Sequence, residues 1–229
     1  GTLTGDLLLK GYGDPYLVTE RLWLLQRDLR NRGLRVIDGD LVIDNTWFAR
    51  EELDAGAFDG QEYRAYNALP DALLLNFQAV NFTFRPDPAR GRVQILSDPV
   101  LANMEIRNNM RLFRGGCNAS KNGISMVVGN SLTRPRVTFS GALASQCPEY
   151  ELLRSVLDGP TYAYGAFRGL WEEQGGRLSG VLRQGQVPAG KSPLVTFQSP
   201  PLAEVIRYVN KFSNNVMTRQ IFPTLGAEK

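Results

Sequence analysis

A serine and an asparagine separated by one residue, Ser213 and Asn215, are the side chains best suited to chemistry in this sequence. They lie within Tyr208–Phe222, where one amphipathic helix pattern ends and another begins. A hydroxyl both donates and accepts a hydrogen bond, and a carboxamide does the same without adding charge. The chain has no histidine, which excludes Ser-His-Asp and Cys-His catalysis and the usual imidazole zinc sites. If the protein is a hydrolase, its base must be Lys, Glu, Asp or Tyr.

Serine enzymes that use lysine as the base carry a Ser-x-Asn element as one of three short motifs. The triplet alone also fits a polar turn between two helices, in which its side chains would cap helix ends. Lys211 lies two residues before Ser213. It is either a general base or, as we expect at an exposed helix end, a cation that complements the helix dipole.

Four segments of the chain resemble motifs of one family, and they occur in the family's order. They are Gly5–Leu17, Gly39–Phe48, Leu73–Pro86 and Ser199–Leu225, the last of which contains Ser-x-Asn. Each resembles a motif of the D-alanyl-D-alanine carboxypeptidase/endopeptidase family. These are S13 peptidases, or low-molecular-mass penicillin-binding proteins of class C type. The resemblance extends over nearly all of the 229 residues.

The resemblance implies roles for two residues of the triplet. Ser213 would relay a proton to the leaving group, and Asn215 would bind the substrate amide and orient a catalytic lysine. The family's nucleophile motif Ser-x-x-Lys would precede Gly1, and its Lys-[Thr/Ser]-Gly motif would follow Lys229. No serine in the chain has a lysine three positions later. We therefore expect a central fragment of a longer enzyme, which by itself forms no acyl-enzyme.

The resemblance also implies a substrate, partners and a location. The parent would be a periplasmic, exported peptidase that acts on peptidoglycan stem peptides, either removing terminal D-Ala or cutting cross-links. It would need no metal or organic cofactor, and β-lactam antibiotics would acylate it. The alternative is a non-catalytic cell-wall binding or scaffold module of the same architecture. Carboxypeptidase against endopeptidase preference and homo-oligomer formation are left open.

Composition is that of a globular protein, with 43% hydrophobic and 21% charged residues and a net charge of +3. No apolar run is long enough to predict a transmembrane segment. Nine basic against three acidic residues give the section Arg85–Arg136 a net charge of +6. This section is either a binding face for an anionic polymer or, as we favour, a solvated β-rich surface. Nucleic-acid binding would depend on this section alone and is not expected.

The chain has two cysteines, Cys117 and Cys147. Such a pair is a disulfide, two buried thiols or two reactive groups. The segment between them contains two predicted strands whose outer ends can meet. We favour a disulfide, which indicates an oxidising compartment.

The order of predicted elements indicates an α/β (α+β) fold. We expect a β-rich α/β accessory domain at 1–86 and 148–186 and an inserted small all-β domain at 87–147. We expect a partial transpeptidase/β-lactamase-like region, carrying Ser-x-Asn, at 187–229. The apolar spacing at 149–157 permits a helix, whereas the family resemblance implies a strand that returns to the first domain, and we follow the resemblance.

Hydrophobic spacing predicts the individual elements. Helices are expected at Leu17–Arg32, Pro160–Gln174 and Pro201–Phe212, and a further helix begins near Asn215 and stops before Pro223. The stripe of the third helix should be buried at Leu202, Val205, Ile206 and Val209. The longest strand is expected at Leu73–Arg85, and Asp38-Gly39-Asp40 indicates a hairpin. The loop 49–70 is either a lip over a cleft or a surface loop anchored by Tyr63 and Tyr66.

Overall fold

The structure, a computed structural model, describes residues 1–49, 53–117, 123–129 and 134–227. In those residues the chain forms four α-helices and twelve β-strands, and the strands form four three-stranded sheets. The predicted mixed α/β class is therefore confirmed. Among the described helices, none is both long enough and apolar enough to cross a lipid bilayer.

Three interrupted strands, each made of two short pieces, run parallel to one another. Their pieces are β1 (Thr2–Thr4), β2 (Leu7–Lys10), β3 (Val36–Asp38), β4 (Leu41–Asp44), β11 (Arg177–Leu178) and β12 (Leu182–Gln184). The first pieces pair in the order β1-β3-β11, and the second pieces pair with β4 between β2 and β12. The middle strand therefore carries its neighbours on the same two sides before and after the break.

The hairpin predicted at Asp38-Gly39-Asp40 is wrong. The chain continues in one direction from β3 into β4, and each strand pairs with a parallel neighbour. A Cβ on Gly39 would lie 2.3 Å from the carbonyl carbon of Gly5. The glycine is therefore needed where two backbones approach closely. An Asp-Gly pair in the sequence does not distinguish this use from a tight turn.

Helices α1 (Thr19–Asn31) and α2 (Gly159–Glu173) pack against each other, and α2 also contacts the parallel strands. Both predicted helices are confirmed, with ends displaced by at most two residues. The predicted apolar stripe of α1 is buried at Leu22, Leu25 and Leu29. Its spacing of three and four residues places these leucines on one face of the helix.

The two sheets with mostly antiparallel pairing follow in the chain. They contain β5 (Val80–Asp87), β6 (Arg92–Asp98), β7 (Glu105–Phe113), β8 (Ser125–Gly129), β9 (Arg136–Ala144) and β10 (Tyr150–Arg154). β5 lies between β6 and β10, so the strand that the resemblance implied at 149–157 is confirmed over Tyr150–Arg154. β9 pairs in parallel with β7 and antiparallel with β8.

The hydrophobic core is continuous across these sheets. Phe139 on β9 lies edge-on to Phe82 and Phe84 on β5, with ring centroids 4.8 and 5.0 Å apart. These residues belong to the same buried cluster as Leu22 of α1 and Trp171 of α2. The division into domains at 1–86 with 148–186, 87–147 and 187–229 stays a prediction.

A disulfide joins Cys117 and Cys147, whose Cα atoms lie 4.9 Å apart. The two cysteines follow β7 and β9, respectively. Because those strands run parallel and side by side, their carboxyl ends lie together. The structure thus has the pairing that we favoured from the sequence.

Two helices end the described chain, α3 (Leu202–Phe212) and α4 (Asn215–Ala227). The predicted stop before Pro223 is wrong, because α4 continues through this residue. Beyond it, the Thr224 hydroxyl bonds to the carbonyl oxygens of Gly13 and Gln220. These contacts stabilise the last turn, and they lie outside what local sequence predicts.

The buried stripe expected on α3 is mostly wrong. Among its described residues only Val205 is buried, whereas Leu202 and Ile206 are 46% and 42% exposed. The apolar pattern did predict the helix correctly. The face on which α3 would bury that pattern is open in the described chain.

Candidate functional site

The Ser213–Asn215 triplet forms the junction between α3 and α4. Ser213 ends α3 in a left-handed conformation, with φ 47° and ψ 45°. Its backbone N–H and that of Asn214 both donate to the carbonyl oxygen of Val209. This is the αL arrangement that closes many helices, usually with glycine at the left-handed position. A serine held there carries backbone strain, a feature that is concentrated at functional sites.

The middle residue of the triplet performs the capping. The Asn214 side-chain oxygen accepts a hydrogen bond from the Met217 N–H at 3.0 Å. Its backbone oxygen accepts from both the N–H and the hydroxyl of Thr218, at 3.1 and 3.0 Å. Asn214 therefore satisfies donors at the start of α4 that would otherwise lack partners.

The outer two residues of the triplet are left free for other contacts. The side chains of Ser213 and Asn215 are both exposed. Within the described residues, neither side chain has a hydrogen-bond partner. The capping role that the sequence allowed for the whole triplet thus falls on Asn214 alone. The hydroxyl and the carboxamide predicted to act in chemistry face solvent at a helix junction.

The residues that follow the triplet pack the start of α4 against the rest of the fold. Val216 and Met217 are 4% and 2% exposed. Val216 packs in a small apolar cluster with Ala68, Leu74 and Phe77. The junction therefore exposes Ser213 and Asn215 to solvent, whereas the two residues that follow are buried.

A left-handed turn at 76–78 brings Phe77 into this cluster. Asn76, Phe77 and Gln78 have φ values of 47°, 54° and 56°. The strand predicted at Leu73–Arg85 is consequently wrong over its first half, and β5 begins only at Val80. The Asn76 side chain donates to the Tyr162 hydroxyl at 3.2 Å. Such tertiary contacts hold a backbone conformation that the local apolar pattern does not predict.

Lys211 lies in the last turn of α3, where its ammonium nitrogen is 5.4 Å from the centre of the Phe212 ring. Its side chain is exposed. This position fits a cation that complements the negative end of the helix dipole. It is the structural role that the sequence favoured over that of a general base.

The predicted loop at 49–70 has its two tyrosines in different settings, and its residues 50–52 lie outside the described chain. The Tyr66 hydroxyl donates to Asp59 at 2.7 Å. This hydrogen bond is the main cause that lowers the pKa of Asp59 below its ordinary value. The Arg219 guanidinium of α4 donates to the Tyr66 carbonyl oxygen at 3.0 Å. Tyr66 therefore anchors the loop against α4.

Tyr63 lines a cavity of about 610 Å³. Its wall includes Arg64 and Arg154, which face each other across an isolated β-bridge. No residue of α3 or α4 lines this cavity. The cavity is thus a feature separate from the Ser213–Asn215 junction.

Two segments that the sequence did not assign to the site contact α4 beyond the triplet. One is the turn Gly13–Tyr16, and the other is Asp71 with its neighbours. Gly13 accepts a hydrogen bond from Thr224, and Asp71 pairs with Gln220. The Gly-Asp-Pro-Tyr string of the family resemblance was the available signal for the first segment. The second had no signal in the local sequence.

Known proteins are similar in sequence to this chain over nearly its whole length. A D-alanyl-D-alanine carboxypeptidase of Actinomadura sp. strain R39 is 26% identical over 230 residues. The D-alanyl-D-alanine carboxypeptidase DacB of Haemophilus influenzae is 25% identical over 222 residues. Each match covers 97% of this chain, but 42% and 46%, respectively, of the relative. The chain therefore spans less than half the length of these relatives.

Solved structures share the fold. Penicillin binding protein 4 (dacB) of Haemophilus influenzae matches with a TM-score of 0.72 at 22% identity, over 97% of this chain and 48% of that one. Its complex with a β-lactam matches with a TM-score of 0.66 at 21% identity, over 97% and 46%.

A protein-family model matches residues 1–229, the whole of the sequence. The resemblance that the four sequence segments indicated is thereby confirmed. This chain belongs to the D-Ala-D-Ala carboxypeptidase 3 (S13) family.

Proposed function

We propose that this chain is the central part of a serine-type D-Ala-D-Ala carboxypeptidase/endopeptidase. Ser213 and Asn215 would assist a lysine-activated serine that lies outside the 229 residues. The observation that carries the proposal is that the three residues of the triplet have different structural roles. Asn214 caps α4, whereas the Ser213 hydroxyl and the Asn215 carboxamide stay exposed and have no partner in the described chain.

The proposed reaction passes through an acyl-enzyme. The oxygen of the external serine bonds to the penultimate D-Ala carbonyl carbon, and its proton moves to a neutral lysine. The C–N bond to the terminal residue then breaks, and the leaving amine takes up a proton. Water finally hydrolyses the ester and regenerates the serine. Lysine can act as the base only where burial and neighbouring cations lower its pKa.

Ser213 is placed in this scheme as the proton relay. Its hydroxyl accepts a proton from the lysinium and donates one to the leaving amine, so it carries no net charge before or after the step. Asn215 would hold the substrate amide through its donor and acceptor. As a neutral residue it would leave the pKa of the nearby lysine undisturbed.

The remaining assignments follow from the family and from the disulfide. We propose peptidoglycan stem peptides as substrates and β-lactams as acylating inhibitors of the parent protein. The Cys117–Cys147 disulfide supports a periplasmic location, since disulfides persist in oxidising compartments. On its own, the chain would form no acyl-enzyme, because it has no Ser-x-x-Lys.

Ser213→Gly and Ser213→Ala together test the role of the hydroxyl in the full-length protein. Both variants remove the relay, so acylation by a labelled penicillin should fall about 100- to 10,000-fold in each. Their stabilities should differ, because glycine adopts the left-handed conformation freely and alanine does not. Ser213→Gly should be more stable than Ser213→Ala by about 1 kcal/mol.

The comparison separates chemistry from folding. Equal loss of acylation in two variants of unequal stability would support a catalytic hydroxyl. Acylation at the wild-type rate in either variant would contradict it. A full-length protein that no penicillin labels would favour the alternative, a non-catalytic cell-wall binding module.

A further inference from the structure

The turn Gly13–Tyr16 contacts the chain before α3, within α3 and within α4. The Asp14 carboxylate accepts a hydrogen bond from the Ser199 hydroxyl, which precedes α3. The Tyr16 ring stacks on Tyr208 in α3, with ring centroids 5.0 Å apart and an interplanar angle of 10°. The Gly13 carbonyl accepts from Thr224 of α4 at 2.9 Å. Four consecutive residues thus contact the segment before α3, α3 itself and α4.

The tyrosine pair belongs to a longer stack that ends next to Ser213. The Arg21 guanidinium lies over Tyr16, 5.2 Å from the ring centre. Tyr208 in turn stacks on Phe212 with ring centroids 6.5 Å apart. Phe212 is the residue immediately before Ser213. The stack therefore extends from α1 to the end of α3, and each aromatic or cation contact contributes about 0.5–1.5 kcal/mol.

The turn itself is fixed to the core. The Gly13 N–H donates to the Ala72 carbonyl at 2.8 Å, and the Tyr16 N–H donates to the Asp14 carboxylate at 2.8 Å. Gly13 has φ 78°, and a Cβ at this position would lie 2.4 Å from the Thr224 hydroxyl. Both the conformation and the close approach require glycine. A turn that is fixed in this way can hold the helices that it contacts in one position relative to the core.

The helix α3 has little else to hold it in the described chain. Val205 is its one buried residue there. A helix with so small a buried area can shift on its neighbours unless specific contacts fix it. A displacement of about 1 Å at a reacting group can cost about 100-fold in rate.

We infer that the Gly13–Tyr16 turn sets the position of the Ser213 hydroxyl, with Tyr16 and Tyr208 as positioning residues. The inference rests on the proposed function, since it assigns the stack a purpose in the reaction of Ser213. Neither tyrosine touches the reacting atoms. They act by fixing the end of α3 against the core.

Tyr208→Leu and Tyr208→Phe in the full-length protein test this inference. The leucine variant loses the ring, and the acylation rate at saturating labelled penicillin should fall about 10- to 100-fold. The phenylalanine variant keeps the ring and should acylate at close to the wild-type rate, because the contact is between ring faces. Rates are measured well below the unfolding temperature of each variant.

Trp23→Leu is the matched control. Trp23 also lies beneath an arginine, Arg27 at 5.4 Å, but on the surface of α1. Its loss should leave acylation unchanged. The double variant of Tyr16→Leu and Tyr208→Leu should acylate no more slowly than Tyr208→Leu alone, because the single replacement already removes the contact between the two rings.

Two results would overturn the inference. One is a wild-type acylation rate in Tyr208→Leu, and the other is a loss that phenylalanine does not restore. If Tyr208→Leu fails to fold, Ser199→Ala replaces it, since this variant removes only the hydrogen bond to Asp14. It should lower the acylation rate several-fold, and an unchanged rate would overturn the inference. Failure of the proposed function is recognised separately, by wild-type acylation in Ser213→Gly.

Discussion

The carboxamide of Gln220 forms two hydrogen bonds with the backbone of a single residue, Asp71. Its oxygen accepts from the Asp71 N–H at 3.1 Å, and its nitrogen donates to the Asp71 carbonyl at 2.6 Å. Gln220 is fully buried. The side chain thus pairs with this backbone as a neighbouring strand would. It fixes α4 to the segment that contains Asp71, Ala72 and Leu73.

We expect Gln220→Glu to destabilise the protein by about 1–3 kcal/mol at neutral pH. An ionised glutamate cannot donate to the Asp71 carbonyl, and its charge would be buried. Protonated glutamate can donate, so the loss should shrink as the pH falls. Urea unfolding at several pH values measures the effect. Arg219→Ala is the control, because its exposed hydrogen bond to Tyr66 should contribute about 0.5 kcal/mol or less. A loss in Gln220→Glu that does not depend on pH would contradict the explanation.

The elements that could be predicted from the sequence are those that a regular spacing defines. Leu22, Leu25 and Leu29 mark α1, and Phe82 and Phe84 mark the buried face of β5. In both cases the period of the apolar residues matches the period of the structure. Burial of one face then fixes the element, and no distant contact is needed to predict it.

The elements that could not be predicted depend on distant contacts. Gly39 looks like a hairpin residue until Gly5 is placed beside it. The left-handed turn at 76–78 needs Tyr162, and the continuation of α4 past Pro223 needs Gly13. Each of these partners lies far away in the sequence. Local propensity therefore favours the wrong structure at these places.

The candidate site shows the same division. The triplet Ser213–Asn215 could be found from residue types and their spacing. The finding that Asn214 alone caps α4 could not be predicted in this way, because the capping depends on the left-handed conformation at Ser213. Nor does any spacing connect Tyr16 to Tyr208, which are far apart in the chain and adjacent in the fold.

The disulfide gives a second prediction. It closes a loop with a sequence separation of 30. Replacing both Cys117 and Cys147 with serine should lower the free energy of unfolding by about 3–4 kcal/mol, chiefly because the unfolded chain gains conformational freedom. Urea unfolding with and without a reductant measures this. The reductant should destabilise the wild type and leave the double variant unchanged. A wild-type midpoint that does not respond to complete reduction would contradict the prediction.

Two neighbouring aspartates have pKa values displaced in opposite directions. Burial raises the pKa of Asp44, but hydrogen bonds from Thr46 and Val187 outweigh it and hold the pKa below its ordinary 3.8. Burial also raises the pKa of Asp71, and the hydrogen bonds from Asn45 and Leu73 do not offset it, so this pKa lies above 3.8. The two carboxylates should therefore affect stability with opposite dependence on pH.

Asp71→Asn removes a buried charge but replaces one of two oxygens that accept from Asn45 and Leu73 by an NH2 group. Relative to the wild type, the variant should gain about 1 kcal/mol or less between pH 3.8 and neutral pH. Because the folded-state pKa of Asp71 is raised, the free energy of unfolding of the wild type falls as the pH rises through 3.8 and above. The gain should therefore grow over that range and be absent below it. Asp44→Asn is the matched control and should destabilise by about 1–3 kcal/mol above pH 3.8, with the loss fading as the pH falls through the lowered folded-state pKa. Urea unfolding between about pH 3 and pH 7 measures both variants. Curves that change with pH in the same direction would show that burial does not control the pKa of Asp71.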